Sequence, residues 1–316
     1  MRGKRGSAIS RGALVVAFVA GCTAGGTPSA GSSAVPPSLT ATSTPLASPA
    51  GTSEASEPSA SQPQLTTVEG SFDVGGHTLF ISCVGDGSPT IVYLHGSIVQ
   101  RGIIPHQNGR NLQGRLAPDY RFCVYDRRNL PPSEKVDAEQ TPTEAIEEMH
   151  ALLEAAGIEG PYVLLGASFG GLLAYLYLNN YPDEVVGMVQ LDSPFPDEMS
   201  LEHLWPKDER YKAYHDDDRN NSIERISHYT AHLDAVPFIG KEPEVPLVYF
   251  ASTQEPWNAS GYAEYDAQVM DVLRAYVDRF SPGTFIEVDS PHFMEPEIPD
   301  EIEDALRTVI EEAGAG

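Results

Sequence analysis

Short apolar runs alternate with longer amphipathic stretches along the chain from residue 66 onward. Short runs bounded by turn residues are typical of buried strands, whereas apolar residues repeated at helical spacing are typical of helices packed on a core. Strands that alternate with helices predict a mostly parallel sheet with helices on both faces. The predicted strands are 76–85, 89–96, 120–126, 162–167, 186–192, 246–252 and 283–289, and the predicted helices are 141–157, 169–180, 260–280 and a last one after Pro299.

The alternation stops between Asp192 and Pro246, in a stretch rich in Trp, Tyr, His and charged residues. This stretch is too long for an ordinary connection. We interpret it, over about residues 193–245, as a largely helical cap above the carboxyl ends of the strands, which is where open α/β sheets bind their ligands. The histidines of this cap are expected to be solvated, and they are His203, His215, His228 and His232.

The segment GASFG, residues 166–170, joins the strand 162–167 to the helix 169–180. It matches G-x-S-x-G in the strand-turn-helix setting that a serine nucleophile requires, so Ser168 is the predicted nucleophile. Small neighbours relieve crowding around a serine held in a strained turn, and the turn lifts its hydroxyl above the sheet. The backbone N–H of Phe169 opens the helix and can stabilise an oxyanion. A phosphate-binding turn, or a merely tight turn, is the alternative.

Two further segments complete a resemblance to the α/β-hydrolase fold over nearly all of residues 70–312. YLHGS at 93–97 is similar to the family's His-Gly loop after the third strand, and VDSPHFMEPEIPDE is similar to the loop after its last strand. The resemblance implies that the Ser97 N–H is the second oxyanion donor and that His292 is the catalytic base, whereas His95 is structural. The expected fold class is α/β: an α/β-hydrolase fold with a mostly parallel central sheet, helices on both faces and a helical cap insertion.

The segment FCVYDRRNLPPSE also resembles a family segment, in which an aspartate and an arginine precede two glycines and a serine. Asn129 and Pro131 stand here where the family has those glycines. The shape of this part of the pocket wall is therefore expected to differ from the family's pattern.

Two carboxylates at strand ends are candidates for the acid that orients His292. Asp192 directly follows the strand after the nucleophile helix, so a rigid element would position it near Ser168. Glu255 lies several residues into the loop after the next strand, which is the position from which the family more often takes its acid. We favour Asp192 and keep Glu255 as the alternative. If Glu255 is the acid, Asp192 is a turn carboxylate at the entrance of the cap.

Cys83 and Cys123 form an even pair in a chain that is expected to be exported, where disulfides persist. In the family's strand order the second and fourth strands are neighbours, and these are the strands assigned to 77–84 and 121–126. Neighbouring strands lie about 4.8 Å apart, which permits a bridge if both side chains share a face. The resemblance thus predicts a Cys83–Cys123 disulfide, with two buried free thiols as the alternative.

The first 65 residues do not have the composition of a folded domain. Residues 1–21 combine a basic start with an apolar run of signal-peptide length, and small residues precede Cys22. This pattern resembles the lipobox of bacterial lipoproteins, which implies cleavage before Cys22 and a palmitate-type lipid on its sulfur. Residues 22–65 are predicted to be a disordered Ser/Thr/Pro-rich tether. Residues 66–316 are the predicted hydrolase domain, outside the cytoplasm and anchored to the cell membrane by lipid.

The formal net charge of −25 disfavours binding to nucleic acid and to anionic lipid headgroups, so membrane contact is expected only through the lipid. The sequence has no G-x-G-x-x-G or P-loop segment, and no cofactor is implied. The run HDDD at 215–218 lacks the spacing of a metal site, and no metal is expected. No protein partner is implied.

These residues predict a serine hydrolase, esterase-like or lipase-like, that cleaves an ester or related acyl bond of a small molecule through a Ser-His-Asp triad. A peptidase that removes an amino-terminal residue is one alternative, since the same triad would serve. A non-catalytic surface binding protein on a hydrolase scaffold is another. The occurrence of a serine, a candidate acid and a histidine in the family's chain order favours an enzyme.

Overall fold

The computed structural model describes residues 65–98, 102–207, 212 and 222–314. Within these ranges eight strands form one sheet. The strands are β1 (Thr67–Asp73), β2 (Thr78–Val84), β3 (Thr90–Leu94), β4 (Phe122–Asp126), β5 (Tyr162–Ala167), β6 (Val185–Leu191), β7 (Leu247–Ser252) and β8 (Gly283–Val288). The α-helices in the same ranges are α1 (Arg110–Leu116), α2 (Pro142–Ala155), α3 (Phe169–Asn180), α4 (His228–Ala235), α5 (Ala263–Asp266), α6 (Val269–Val277) and α7 (Pro299–Gly314). Short 3₁₀ helices occupy Pro105–Gln107, Pro196–Leu204, Val236–Phe238 and Trp257–Ala259.

The strand order is β1-β2-β4-β3-β5-β6-β7-β8. β2 is antiparallel to both of its neighbours, and every pair from β4 to β8 is parallel, which confirms the predicted mostly parallel sheet. β4 and β5 lie on opposite sides of β3. The chain therefore leaves β3 toward β4 and leaves β5 toward β6, in opposite directions, and a crevice suited to a ligand opens between the carboxyl ends of β3 and β5.

Helices cover both faces of the sheet, as the alternating pattern predicts. On one face, buried residues of α2, α3 and α6 form a core with the cap, whereas α1 and α7 form a second core on the opposite face. α3 is buried on all sides from Phe169 to Leu178. A helix that is apolar all round belongs in the interior, and α3 meets that condition because it lies between the sheet, α2 and the cap helix α4.

The predicted single helix over 260–280 is wrong, because the chain forms α5 and α6 with a break between them. The Asp266 carboxylate at the end of α5 accepts hydrogen bonds from the backbone N–H of Ser260 at 2.9 Å and of Gly261 at 3.1 Å. Aspartate side chains that bond nearby backbone groups compete with helix continuation. Gln268, the residue before α6, has a φ of −119°, outside the usual helical range.

β1 and α1 are additions to the predicted elements. β1 alternates half-buried and exposed residues at the edge of the sheet, and Gly70 and Asp73 weaken its strand signal. α1 has only seven residues, among them two arginines and Gly114. A short polar helix with an internal glycine has little helical signal of its own, so it forms because Leu112 and Leu116 are buried in the second core.

Cys83 and Cys123 are joined by a disulfide across β2 and β4. The two residues are direct partners in the antiparallel register, and their Cα atoms are 4.0 Å apart. Both side chains are buried within the first core. The bridge therefore ties the antiparallel edge of the sheet to its parallel part.

Replacing both cysteines with alanine is expected to lower the free energy of unfolding by about 3–4 kcal/mol, since the bridge closes a loop of roughly 40 residues. Denaturant unfolding of the double variant and of the oxidised wild type measures the difference. Wild type unfolded in the presence of reductant is the control, because it lacks the bridge but keeps both side chains. Equal midpoints for oxidised and reduced wild type would contradict the prediction.

The predicted signal segment, Cys22 and the predicted tether up to residue 64 lie outside the described residues. Of the helices that are described, none has the length and apolar character needed to cross a membrane.

Candidate active site

The turn between β5 and α3 holds Ser168 in a left-handed backbone conformation, with φ 49° and ψ −129°. Such a conformation is costly for a residue other than glycine and persists only where the surroundings enforce it. Close packing leaves no room for a side chain at either flanking glycine. A Cβ at Gly166 would lie 2.4 Å from the Cα of Gly171, and one at Gly170 would lie 2.0 Å from the carbonyl oxygen of Leu94. The G-x-S-x-G pattern is thus required by backbone contacts on both sides of the serine.

The start of α3 fixes the surroundings of Ser168. Phe169 is the first residue of the helix, where backbone N–H groups have no partner within the helix and the helix dipole is positive. The Ser168 N–H donates to the carbonyl of Leu191 at 2.8 Å. The serine turn is therefore attached to the end of β6, one residue before Asp192.

Asp192 directly follows β6 and also has a left-handed backbone, with φ 44°. Its side chain is buried, and each carboxylate oxygen has a partner. Oδ1 accepts from the Ser252 N–H at 3.0 Å, and Oδ2 lies 2.7 Å from Nδ1 of His292. The structure thus brings together His292 and Asp192, two of the residues that the sequence predicts for the site.

Glu255, the alternative acid, lies close to His292 but is not its hydrogen-bond partner. The contribution of Glu255 to the histidine is a through-space charge. Its backbone N–H donates to the Ser252 hydroxyl oxygen at 2.9 Å, and that hydroxyl donates to the Ser290 carbonyl at 2.7 Å. Ser252 therefore links the β7 loop with Glu255, the carboxylate of Asp192 and the loop that carries His292.

The loop after β8 is also anchored from the centre of the sheet. The hydroxyl of Tyr93, at the end of β3, donates to the carboxylate of Glu295, three residues after His292. Both side chains are buried. Burial raises the pKa of the Glu295 carboxyl above its ordinary value.

The surroundings of His292 raise the pKa of its imidazole above the ordinary value. Burial on its own lowers this pKa, because it penalises the charged ring, but the hydrogen bond and charge of Asp192 and the charges of nearby carboxylates together outweigh it. The charges of Glu255 and Glu295 act in the same direction as Asp192. A histidine so placed is a stronger base than a free one, and its Nδ1 is held by the carboxylate.

A pH dependence follows for any reaction in which His292 accepts a proton. Only the neutral ring can act as a base, so kcat/KM is expected to rise with pH with a midpoint above the ordinary histidine pKa of about 6.5. Glu255→Gln removes one of the charges that raise the pKa and should move the midpoint to lower pH without lowering the plateau. A kcat/KM profile over about pH 4–9 measures both. If Glu255→Gln leaves the midpoint unchanged or moves it to higher pH, the assignment of the midpoint to His292 is contradicted.

The second predicted oxyanion donor, Ser97, lies in the segment 95–98 that follows β3, which we call the β3 loop. This loop runs directly beside the nucleophile turn, since a Cβ on Gly96 would lie 3.1 Å from the Cβ of Ser168. The predicted structural role of His95 agrees with its burial, which together with the charge of Arg127 lowers its pKa well below the ordinary value.

Comparison with known proteins identifies the fold that carries these residues. The family model of the alpha/beta hydrolase fold matches residues 89–233, which include the β3 loop and the turn at Ser168. A solved structure of 2-hydroxy-6-oxo-6-phenylhexa-2,4-dienoate hydrolase from Rhodococcus sp. strain RHA1 superposes with a TM-score of 0.56 at 16% identity, covering 78% of this chain and all of that one. The chain has the α/β-hydrolase fold. An esterase from Exiguobacterium antarcticum is similar to it at a TM-score of 0.51 and 15% identity, over 75% of this chain and 96% of the esterase.

Curated relatives match this chain over part of its length. The uncharacterized protein YqjL of Bacillus subtilis (strain 168) is 23% identical over 153 residues, which are 46% of this chain and 59% of YqjL. The matches to curated relatives span between 15% and 59% of those relatives' own length.

The cap contributes residues that no pattern in the sequence singles out. His232, expected to be solvated, is buried, so that expectation is wrong for it, whereas His228 is half-buried. His228 stacks on Phe169, with ring centroids 4.0 Å apart and planes within 6° of parallel. His203 is exposed, as expected, and His215 lies outside the described residues.

Arg127 and Glu224 form an ion pair beside the β3 loop, and each side chain is only 1% exposed. In the sequence, the segment of Arg127 stands out only for its missing glycines. The sequence did indicate that Arg127 has a buried partner, because a charged residue directly after a buried strand must be paired. Asn129 accounts for one of the missing glycines, since it adopts a φ of 70°, a left-handed conformation that asparagine tolerates better than most residues.

Within the part of the chain that the structure describes, His, Cys, Asp and Glu side chains form no group arranged to hold a metal ion. The acidic run at 216–218 lies outside that part.

Proposed function

We propose that this protein is a serine hydrolase that cleaves an ester or a related acyl bond of a small molecule through Ser168, His292 and Asp192. The observation that carries the proposal is the convergence of two unusual residues at neighbouring strand ends. Ser168 and Asp192 both have left-handed backbones, and Asp192 is hydrogen-bonded to His292 at 2.7 Å. Strained residues cluster at active sites, and an orienting carboxylate on a histidine is the mark of nucleophilic serine catalysis.

In the proposed reaction the Ser168 hydroxyl attacks the carbonyl carbon and transfers its proton to Nε2 of His292. Nδ1–H of the resulting imidazolium donates to Asp192, which stabilises its positive charge. The backbone N–H groups of Phe169 and Ser97 stabilise the negative oxygen of the tetrahedral intermediate. The histidine then returns its proton to the leaving group, and a water molecule releases the acyl group by the same steps in reverse order.

The fold is compatible with this chemistry, since hydrolases, among them an esterase, share it. A serine nucleophile supports the cleavage of an ester or a related acyl bond, because it forms an acyl intermediate with such compounds. A cap above the strand ends favours a small molecule that fits beneath it over a large polymer.

The proposal includes a location outside the cytoplasm, with the chain anchored by lipid on Cys22. It is supported by the small residues before Cys22 and by the apolar run that precedes them. Cys22→Ala is expected to lose membrane association or to remain unprocessed, which cell fractionation and immunoblotting measure. Normal processing together with unchanged membrane association would contradict this part of the proposal.

A fluorophosphonate probe tests the catalytic proposal directly, because it reacts with activated serines. We expect the purified wild type to be labelled at Ser168, located by peptide mass spectrometry, and to hydrolyse at least one member of a series of p-nitrophenyl esters of increasing acyl length. Ser168→Ala should show neither reaction. Labelling at another serine would contradict the assigned nucleophile, and the absence of both labelling and hydrolysis would favour a binding protein.

A further inference from the structure

The β3 loop, which carries the proposed Ser97 donor, is held by three residues of the cap. The Ile223 N–H donates to the carbonyl of Ile98 at 2.8 Å, and Oε2 of Glu224 accepts from the Ile98 N–H at 3.2 Å. Nε2 of His228 shares a hydrogen bond of 2.5 Å with the Ser97 hydroxyl. We call Ile223, Glu224 and His228 the cap clamp. Because of these bonds, both the backbone and a side chain of the loop are fixed from the cap side.

Arg127 holds the same loop from the side of the sheet. Its guanidinium donates to the carbonyl oxygens of His95 at 2.9 Å and of Gly96 at 2.8 Å, and to Oε1 of Glu224 at 2.7 Å. The cap clamp and Arg127 are therefore connected through Glu224. A buried ion pair is a weak source of stability, and its best-attested use is to specify one arrangement of the chain.

The bond from Arg127 to Gly96 determines where the Ser97 N–H points. The Gly96 carbonyl and the Ser97 N–H belong to one peptide plane, and in a trans peptide these two groups point in opposite directions. The cis peptides in the described residues all precede proline, so this peptide is trans. With its carbonyl held toward Arg127, the peptide directs the Ser97 N–H away from Arg127.

His228 contacts the side chains of both residues whose backbone N–H groups are the proposed oxyanion donors. Its ring stacks on the Phe169 side chain, and its Nε2 is bonded to the Ser97 side chain. Burial, with smaller effects from His232 and Arg127, lowers the pKa of His228 to about 3. The imidazole is therefore neutral at working pH and can accept a hydrogen bond from the Ser97 hydroxyl without adding a charge.

We propose that the cap clamp, acting with Arg127, positions the backbone N–H groups of Ser97 and Phe169 for oxyanion stabilisation. The cap is then a structural part of the catalytic centre in addition to covering the substrate. This inference rests on the proposed function, because it assigns a role within that reaction. Glu224, His228 and Arg127 are positioning residues: they act on the transition state through the β3 loop and α3.

His228→Phe is the first test, since phenylalanine keeps a ring for stacking on Phe169 but cannot bond the Ser97 hydroxyl. Loss of one oxyanion donor costs about 10²–10³ in turnover, so misplacement of one is expected to lower kcat by roughly 10- to 100-fold with KM nearly unchanged. Affinity for an alkyl boronic acid, which forms a tetrahedral adduct on the serine, should fall by the same factor. His228→Gln should recover part of the loss, because its amide can reach the Ser97 hydroxyl.

The pH profile separates positioning from damage to the catalytic base. The midpoint set by His292 should be the same in His228→Phe as in the wild type, because the contacts of His292 are untouched. His203→Gln is the matched control. It is an exposed cap histidine whose ring bonds only the Ser200 carbonyl among the contacts described for it, and its kinetics should equal the wild type's.

Glu224→Gln is the second variant, measured in the same assays and decisive if His228→Phe unfolds at the assay temperature. A glutamine preserves the size of the side chain but weakens its hold on Arg127 and the Ile98 N–H. Wild-type values of kcat and boronate affinity in the folded variants would overturn the inference and leave the proposed function intact. A change confined to KM would do the same. A wild type that neither labels nor hydrolyses esters would overturn both.

Discussion

Ser168→Ala is expected to lower ester turnover by about 10⁶-fold while leaving the protein folded, because serine, base and acid act as a unit and removal of the nucleophile disables all of them. Alanine differs from serine by one oxygen and keeps the same backbone requirement at this turn. The substitution therefore tests the chemistry of the hydroxyl with little change to the packing of the site. Initial rates with the best p-nitrophenyl ester, measured at high enzyme concentration, give the size of the loss.

Thermal unfolding of Ser168→Ala, compared with that of the wild type, shows whether the fold is preserved. Ser71→Ala, at an exposed serine on β1, is the matched control and should retain full activity. Residual turnover of Ser168→Ala within tenfold of the wild type would exclude Ser168 as the nucleophile.

Asp192→Asn is expected to lower turnover by about 10⁴-fold, the size of effect known for an orienting carboxylate. Asparagine can still occupy the space of the aspartate and accept from the Ser252 N–H, but it cannot neutralise an imidazolium. It can also hold His292 in the wrong tautomer, in which Nε2 carries the proton and cannot accept one from Ser168. Because Asp192 is also a main cause of the raised His292 pKa, the activity that remains should show a midpoint at lower pH.

Glu255→Gln is the matched comparison for Asp192→Asn, since both exchange a carboxylate near the same histidine for an amide. Its turnover above the midpoint should stay close to the wild type's, because Glu255 acts on His292 by charge alone. Kinetics of the two variants, measured side by side at saturating ester, test the assignment of the acid. A larger loss for Glu255→Gln than for Asp192→Asn would move the role of acid to Glu255.

Features that depend on local pattern could be predicted from the sequence. Strand β5 and helix α3 have the predicted bounds, because an apolar run, a glycine-rich turn and a helical repeat each mark their own limits. The pairing of Cys83 with Cys123 could be predicted only through the resemblance, since the strand order is a property of the whole fold. The proximity of Asp192 to His292 required the same information, because the two residues are 100 positions apart.

Features that depend on pairing between distant side chains could not be predicted. Nothing in the sequence near Glu224 shows that its partner is Arg127, 97 positions earlier. The stacking of His228 on Phe169 depends on how the cap is folded against α3, and the cap has no repeating pattern from which to infer its packing. The break between α5 and α6 depends on the Asp266 carboxylate, which bonds the backbone of Ser260 and Gly261 before α5. The helical spacing of apolar residues does not reveal this contact.

The left-handed backbones of Ser168 and Asp192 also affect how related sequences should be interpreted. Each such residue costs on the order of 1–3 kcal/mol, and glycine would adopt either conformation without that cost. A descendant released from selection for catalysis could therefore become more stable by acquiring glycine at either position. A relative that keeps the sheet, the disulfide and the cap but has glycine in place of Ser168 or Asp192 would thus be a former enzyme whose sequence has since adapted to folding alone.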